Sequence, residues 1–159
     1  MMKAITRFKF FIWSFGHFKV PLIGHLRPKL ITLTDTTIVI RLPFNRRSKN
    51  HLQSMYFGAL AVGADLAGGL HAFYHAEQAN VRLSLAFKSF QAQFLKRPMS
   101  DVYFVCEEGD TVKDMIQDAK TSGLRINKPI AVTAYTHYPL APEAVATFQL
   151  ELSLKMLSA

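Results

Sequence analysis

Residues 50–69 read NHLQSMYFGALAVGADLAGG and lie within a run of 27 residues, between Lys49 and Glu77, whose one formal charge is Asp65. A helix that is apolar on every face is buried, in a large core or in a membrane. An ionised carboxylate taken out of water costs far more than one hydrogen bond returns. Asp65 therefore needs a reason. Either it is structural, a carboxylate at a kink or a protein interface, or it is chemical, because burial and neighbours tune a carboxylate for base or nucleophile work.

Residues 52–74 are long enough to cross a bilayer, and Ala59, Gly63 and Ala67 form a small-residue stripe of the kind that packs membrane helices. Against a span stands Asp65 near its midpoint, at a cost of at least about 2.5 kcal/mol. Patterned strands elsewhere also require a water-excluding protein core. Gly58, Gly63, Gly68 and Gly69 cost helix propensity but let strands approach the helix closely.

On the N-terminal side, Ala4, Phe8, Phe11, Ile12 and Phe15 recur at helical spacing with basic residues beside them. Lys3, Arg7 and Lys9 interrupt what would otherwise resemble a signal sequence, so the segment is expected to be retained, docked on the core or laid on a membrane surface. Ile31 and Leu33, then Ile38, Ile40 and Leu42, alternate with polar residues about Asp35 and Thr36, which predicts a hairpin. Residues 44–51 form a basic loop leading into the long helix.

On the C-terminal side, Phe90, Ala92 and Phe94 alternate with Gln91 and Gln93, and Val102 to Cys106 continues as strand after a turn near Met99. These two are expected to form a second hairpin. Thr111 and Asp114 predict a helix start, with Val112, Met115, Ile116 and Ala119 on one face and Gly123 at its end. Ile130, Val132 and Ala134 mark a strand. Phe148, Leu150, Leu152, Leu154 and Met156 alternate with polar residues along another, whose one face must be buried.

At 159 residues the chain is about one domain, with residues 1–27 as a basic helical segment packed on or near the rest. Half of its residues are hydrophobic and 19% charged, which excludes a disordered chain. Cys106 is the only cysteine, so no intramolecular disulfide forms, and its Val-Tyr-Phe-Val-Cys setting reads as strand core rather than nucleophile. A cytoplasmic location is the default. The net charge of +8 is uneven: residues 1–50 hold ten Lys and Arg against Asp35 alone, and the remainder holds nine against ten acids. That excess suits an anionic partner or a solvated basic face. No motif of nucleic-acid recognition accompanies it.

Antiparallel strands flanking a helix apolar all round are most easily reconciled if the sheet curls about the helix, an α+β arrangement. This layout, and Asn50 to Gly69 in particular, resembles the hot-dog-fold acyl-CoA thioesterases of the phenylacetyl-CoA and hydroxybenzoyl-CoA type. Many of those carry Asn, Gly three residues on, then His-Gly-Gly, six residues, and Asp. Here Asn50, Gln53, Tyr56-Phe57-Gly58 and Asp65 keep that spacing. Phe94-Leu95-Lys96-Arg97-Pro98 is similar to the family's aromatic-Leu-Arg-Pro exit from the strand after the central helix.

The resemblance implies a hot-dog fold, an antiparallel sheet wrapped around a long central helix with an additional N-terminal helix, and side-by-side homodimers or dimers of dimers with sites at the subunit interface. It implies an acyl-CoA or related acyl thioester as substrate, coenzyme A entering only as part of it, with no separate cofactor and no metal. Asp65 would act on water or on the thioester, and the Phe57 and Gly58 amides would polarise the carbonyl from the helix start. Asn50 would orient Asp65 or cap the helix. Tyr56 replaces the usual His, Phe57 the first Gly and Gln53 the earlier Gly; the Phe57 side chain would narrow or block the acyl pocket. Tyr56, Ser89, Gln91, Lys96 and Arg97 are the candidate substrate contacts, the two cations and Arg46, Arg47 and Lys49 suiting phosphates.

Two other functions compete: a non-catalytic hot-dog binder of acyl groups or lipid, and a peripheral membrane protein using the basic aromatic N-terminus. His71 and His75, four apart with Glu77 beyond, have the spacing of a metal pair, or are two histidines at the wetter end of the helix.

Overall fold

The computed structural model describes residues 3–157, so residues 1, 2, 158 and 159 of the expected 1–159 domain lie outside the described residues. Its elements are α1 (Ala4–Phe18), α2 (Pro21–Leu26), β1 (Lys29–Leu33), β2 (Ile38–Leu42), α3 (Phe57–Gln78), β3 (Leu83–Phe94), β4 (Val102–Cys106), α4 (Gly109–Ser122), β5 (Ile126–Thr136) and β6 (Glu143–Met156). The six strands form one antiparallel sheet in the order β1-β2-β4-β5-β6-β3.

The sheet wraps α3, and the glycines show how closely. A Cβ on Gly63 would lie 2.3 Å from the ring of Phe104 on β4, and one on Gly68 would touch Leu150 of β6 and Val132 of β5. Gly69 faces Phe87 and Leu85 of β3. These contacts reach strands on both sides of the sheet's centre, so the helix lies in its concave face. Helix α4 packs alongside α3 and over β5 and β6, burying Val112, Met115, Ile116 and Ala119. Among the described residues no helix is long and apolar enough to cross a membrane.

Helix α1 docks on the core through Phe8, Ile12 and Gly16. Phe8 meets Tyr74 edge-on at 5.7 Å between ring centres, and Phe11 meets Phe73 at 5.3 Å. Helix α2 folds back against α1 where Gly16 and Gly24 touch; a Cβ on Gly24 would sit 2.4 Å from the Gly16 carbonyl oxygen.

Three expectations need correction. The strand ending at Phe94 does not form a hairpin with Val102–Cys106. It starts at Leu83, pairs with β6 alone and lies at the sheet edge, while β4 pairs with β2 and β5. The reason lies in residues 95–101, which cross from one side of the sheet to the other instead of reversing: the Leu95 and Lys96 amides bond Val145 O at 2.9 and 3.2 Å, and Pro98 O accepts the Met55 amide at 2.8 Å. Helix α4 begins at Gly109, two residues before Thr111, whose hydroxyl donates back to Glu108 rather than capping with Asp114. Gly109 permits that early start because its backbone abuts Asp35 O, where a Cβ would stand at 2.0 Å. His71 and His75 are not at a wet end of α3: both are buried and stacked 5.6 Å apart. His75 Nε2 bonds Asp35 O at 3.0 Å, so the β1–β2 turn covers this end of the helix.

Candidate active site

The approach to α3 is built by two short polar clamps. Ser48 Oγ donates to Pro43 O at 2.7 Å and accepts the Asn45 amide, and Asn50 Oδ1 accepts the Leu52 and Ser54 amides at 2.9 and 3.1 Å. Asn50 Nδ2 donates to Ser54 Oγ. Within the chain Asn50 makes no hydrogen bond to Asp65 and does not cap α3; its side chain closes the 50–54 loop. Gln53 in that loop has φ 56°, the left-handed region that glycine enters without cost. The glycine expected here from the resemblance has a conformational reason, and Gln53 adopts the conformation without being one.

Tyr56 is the N-cap of α3 in extended conformation, and no side chain caps the helix. Its own amide bonds Ser48 O at 2.7 Å, and its carbonyl accepts the Ala59 and Leu60 amides. The Phe57 and Gly58 amides are left without a partner among the described residues, with the positive end of the helix dipole behind them. The Tyr56 ring folds back over Gly58, where a Cβ would lie 2.4 Å from Cε1. Phe57 is exposed, 4.7 Å from Tyr56 and 6.3 Å from Phe94 between ring centres. It lies against the end of β3 and is not among the residues lining the Asp65 cavity.

Asp65 is half-buried and makes no hydrogen bond or ion pair with a described residue. It faces an apolar cavity of about 270 Å³ walled by Phe11, Ile12 and Phe15 of α1, Leu66, Gly69 and Phe73 of α3, and Leu85 and Phe87 of β3, among others. Burial pushes its carboxyl above the usual carboxylate range, because nothing nearby compensates for lost water. A neighbouring cleft of about 410 Å³ shares Phe11, Phe73 and Leu83 with it and is bordered by the Arg7–Glu77 ion pair. Helix α1 supplies walls to both, a contribution that its amphipathic spacing could reveal only as docking.

The remaining candidates are dispersed. Phe90 pairs with Leu150, whose side chain faces α3, so Ser89 and Gln91 point to the opposite face of the sheet from Asp65. There they line shallow grooves with Gln149. Lys96 is exposed and ion-paired to Glu143. Arg97 is exposed beside Pro98, whose carbonyl is tied to Met55 just before α3. Arg46 and Arg47 are exposed, and Lys49 lies 4.5 Å over the Phe44 ring. Glu77 pairs with Arg7 rather than with the histidines, and no group of three or more metal-ligating side chains occurs among the described residues. Cys106 is buried in β4, its thiol pushed up to about 12 by burial.

Solved structures share this fold. A protein of unknown function from Chlorobaculum tepidum superposes with a TM-score of 0.81 at 10% identity, over 95% of this chain and 96% of that one. A protein assigned as a thioesterase from Shewanella oneidensis gives 0.80 at 14% identity, over 94% and 99%. A thioesterase from Haemophilus influenzae gives 0.69 at 12%, over 100% and 95%. The chain has the hot-dog fold. No family model matches it, and no curated protein matches it significantly in sequence. Within a hot-dog fold, α3 is the wrapped helix, its N-terminus carries two unpartnered amides, and Asp65 stands two turns further along.

Proposed function

We propose that this hot-dog protein is a homodimeric, cytoplasmic thioesterase that hydrolyses an acyl-CoA or related acyl thioester. The observation that carries the reading is Asp65: an unpartnered carboxylate facing an apolar cavity, which a purely structural acid would not be. Solved structures of the same fold named as thioesterases support it.

The chemistry needs two parts. Attack on a thioester carbonyl places negative charge on its oxygen, which two aligned amides can accept. Water must be oriented and lose a proton, which a carboxylate with a raised pKa does well near neutral pH. Phe57 and Gly58 supply the first part and Asp65 the second. Collapse of the tetrahedral intermediate then breaks the C–S bond; the thiolate leaves with the proton that Asp65 took from water, and the acyl group departs as the carboxylic acid. Phe57 and Asp65 are eight residues apart on one helix, roughly 12 Å along its axis, so one carbonyl cannot meet both within a single chain. A second subunit, set side by side along the unpaired edge of β3, supplies the missing half: Asp65 of one copy works with Phe57 and Gly58 of the partner subunit. The acyl group lies in the apolar cavity beneath α1, and Arg97 with the basic loop at residues 46–49 receives the phosphates of coenzyme A.

Asp65→Asn tests this directly. Thiol release from a responsive acyl-CoA is expected to vanish while the dimer stays intact; unchanged turnover would refute the assignment. A panel of acyl-CoA thioesters by thiol release, beside thermal shifts with coenzyme A and fatty acids, separates it from the binder reading, which Tyr56 and Phe57 crowding the helix start would favour. Binding without release would identify the binder.

A further inference from the structure

Helix α1 carries two apolar faces, and the fold uses only one. Phe8, Ile12 and Gly16 are buried on the core. On the outside, Phe10, Trp13 and Phe18 are 63%, 57% and 71% exposed, and Leu22 of α2 is 60% exposed. The rings form one strip: Phe10 lies 5.6 Å from Trp13, Trp13 stacks on His17 at 5.6 Å, and Phe18 meets both edge-on at 6.2 and 4.8 Å. Single exposed apolar residues are ordinary; a contiguous set of this size marks an interaction surface.

The surroundings of the strip are cationic. A groove of about 690 Å³ between α1 and α2 is lined by Lys9, Trp13, His17, His25, Arg27 and Lys29, among others. No acid precedes Asp35 in the chain, and none of Lys3, Lys9, Lys19, Arg27 and Lys29 forms an ion pair with a described residue.

We propose that this face docks on an anionic lipid bilayer, with Phe10, Trp13, Phe18 and Leu22 at the headgroup–acyl boundary and the flanking cations against lipid phosphates. Aromatic bulk and a cationic rim are the two signals that together hold a protein on a membrane surface, where either alone is marginal. Charge complementarity favours lipid over a second copy, because a two-fold contact would set this patch against itself, cation facing cation with no acid between them. Duplex nucleic acid would satisfy the cations but keeps its bases stacked on one another and out of reach of the aromatic rings, and a single strand, whose bases could stack there, is an outcome the test below reads. The four apolar residues do not line the Asp65 cavity, so docking and turnover are separable.

Trp13 is the only tryptophan, so its fluorescence reads the proposed contact. Phosphatidylcholine vesicles with phosphatidylglycerol as roughly a third of the lipid are expected to shift its emission to shorter wavelength and shield it from acrylamide. Pure phosphatidylcholine should do neither, and salt at about 1 M, where the screening length is about 3 Å, should release the protein. Lys9→Glu with Lys19→Glu is expected to weaken binding tenfold or more, on the order expected for reversing two interfacial charges. Phe10→Ser with Phe18→Ser should abolish it with the melting temperature and thioester turnover unchanged, since both side chains are exposed. No shift with anionic vesicles, or an equal shift with neutral ones, would overturn the proposal. So would tighter binding to an oligonucleotide than to vesicles, or a change of oligomeric state in the serine variant when the unsubstituted protein itself binds no vesicles.

Discussion

Asp65 is a half-buried carboxylate without a partner among the described residues, so the folded chain holds it at a cost. Its folded-state pKa is raised, so it destabilises the protein above the ordinary carboxylate range and ceases to do so as protonation neutralises it. Asp65→Asn is therefore expected to raise the melting temperature at neutral pH while abolishing turnover, the pairing that distinguishes a functional acid from a structural one. If Asp65 is the base, kcat/KM should fall on acidification with a midpoint above that of a free carboxylate. His71 works in the opposite direction. It is fully buried, neither ring nitrogen is within hydrogen-bonding geometry of a described residue, and burial followed by the His75 charge outweighs the opposing pull of the nearby Thr34 backbone and lowers its pKa to about 4. Between the unfolded value of 6.5 and about 4, the unfolded chain takes up a proton that the folded one refuses, so stability is lost as pH falls through that window. The slope is about 1.4 kcal/mol per pH unit. His71→Leu is expected to flatten that dependence in urea melts at pH 5 and pH 7. Gln53, at φ 56°, stores local strain; Gln53→Gly should stabilise by about 0.5–1 kcal/mol, the relief of a left-handed residue less glycine's extra chain entropy.

At the scale of elements, α3 belongs where it is because of what it lacks. Gly63 faces the fully buried Phe104 ring with no room for a methyl group. Gly63→Ala gains about 1 kcal/mol of helix propensity and is expected to lose more by overpacking, typically about 1–3 kcal/mol; a lower urea midpoint at unchanged slope would show it. Phe57 opens the same helix and gives a clean test of the amide donors. It is the first helical residue, Tyr56 before it is already extended, and proline fits both conditions. Phe57→Pro removes one N–H while keeping the helix, and kcat should fall by roughly 10²–10³ with circular dichroism unchanged. Strand β3 is legible as a strand but not in its partner. The alternation about Phe90 to Phe94 is equally compatible with pairing to β4 or to β6, because periodicity fixes which face is buried and says nothing of which strand lies alongside.

At the scale of the whole molecule, β3 is a twelve-residue edge strand with Phe90 and Phe94 exposed and one side unpaired. Such an edge is a template for another chain unless it is used, and the proposed dimer uses it. Mixing Asp65→Asn with Phe57→Pro subunits under exchange should restore about a quarter of the activity, since half the dimers are hybrids and each hybrid holds one complete site out of two. No recovery would place the reacting groups within one chain. The sequence by itself determined the wrapped helix, its lone acid and the alternating strands, because burial of apolar faces imposes local periodicities that can be read from spacing alone. Only the tertiary structure decided that Asn50 is spent on its own loop, that Ser89 and Gln91 lie on the far face from Asp65, that His71 and His75 are buried beneath the β1–β2 turn, and that α1 walls the cavity. Each of those depends on contacts between residues distant along the chain, where strand order and crossover, rather than local pattern, choose the neighbours.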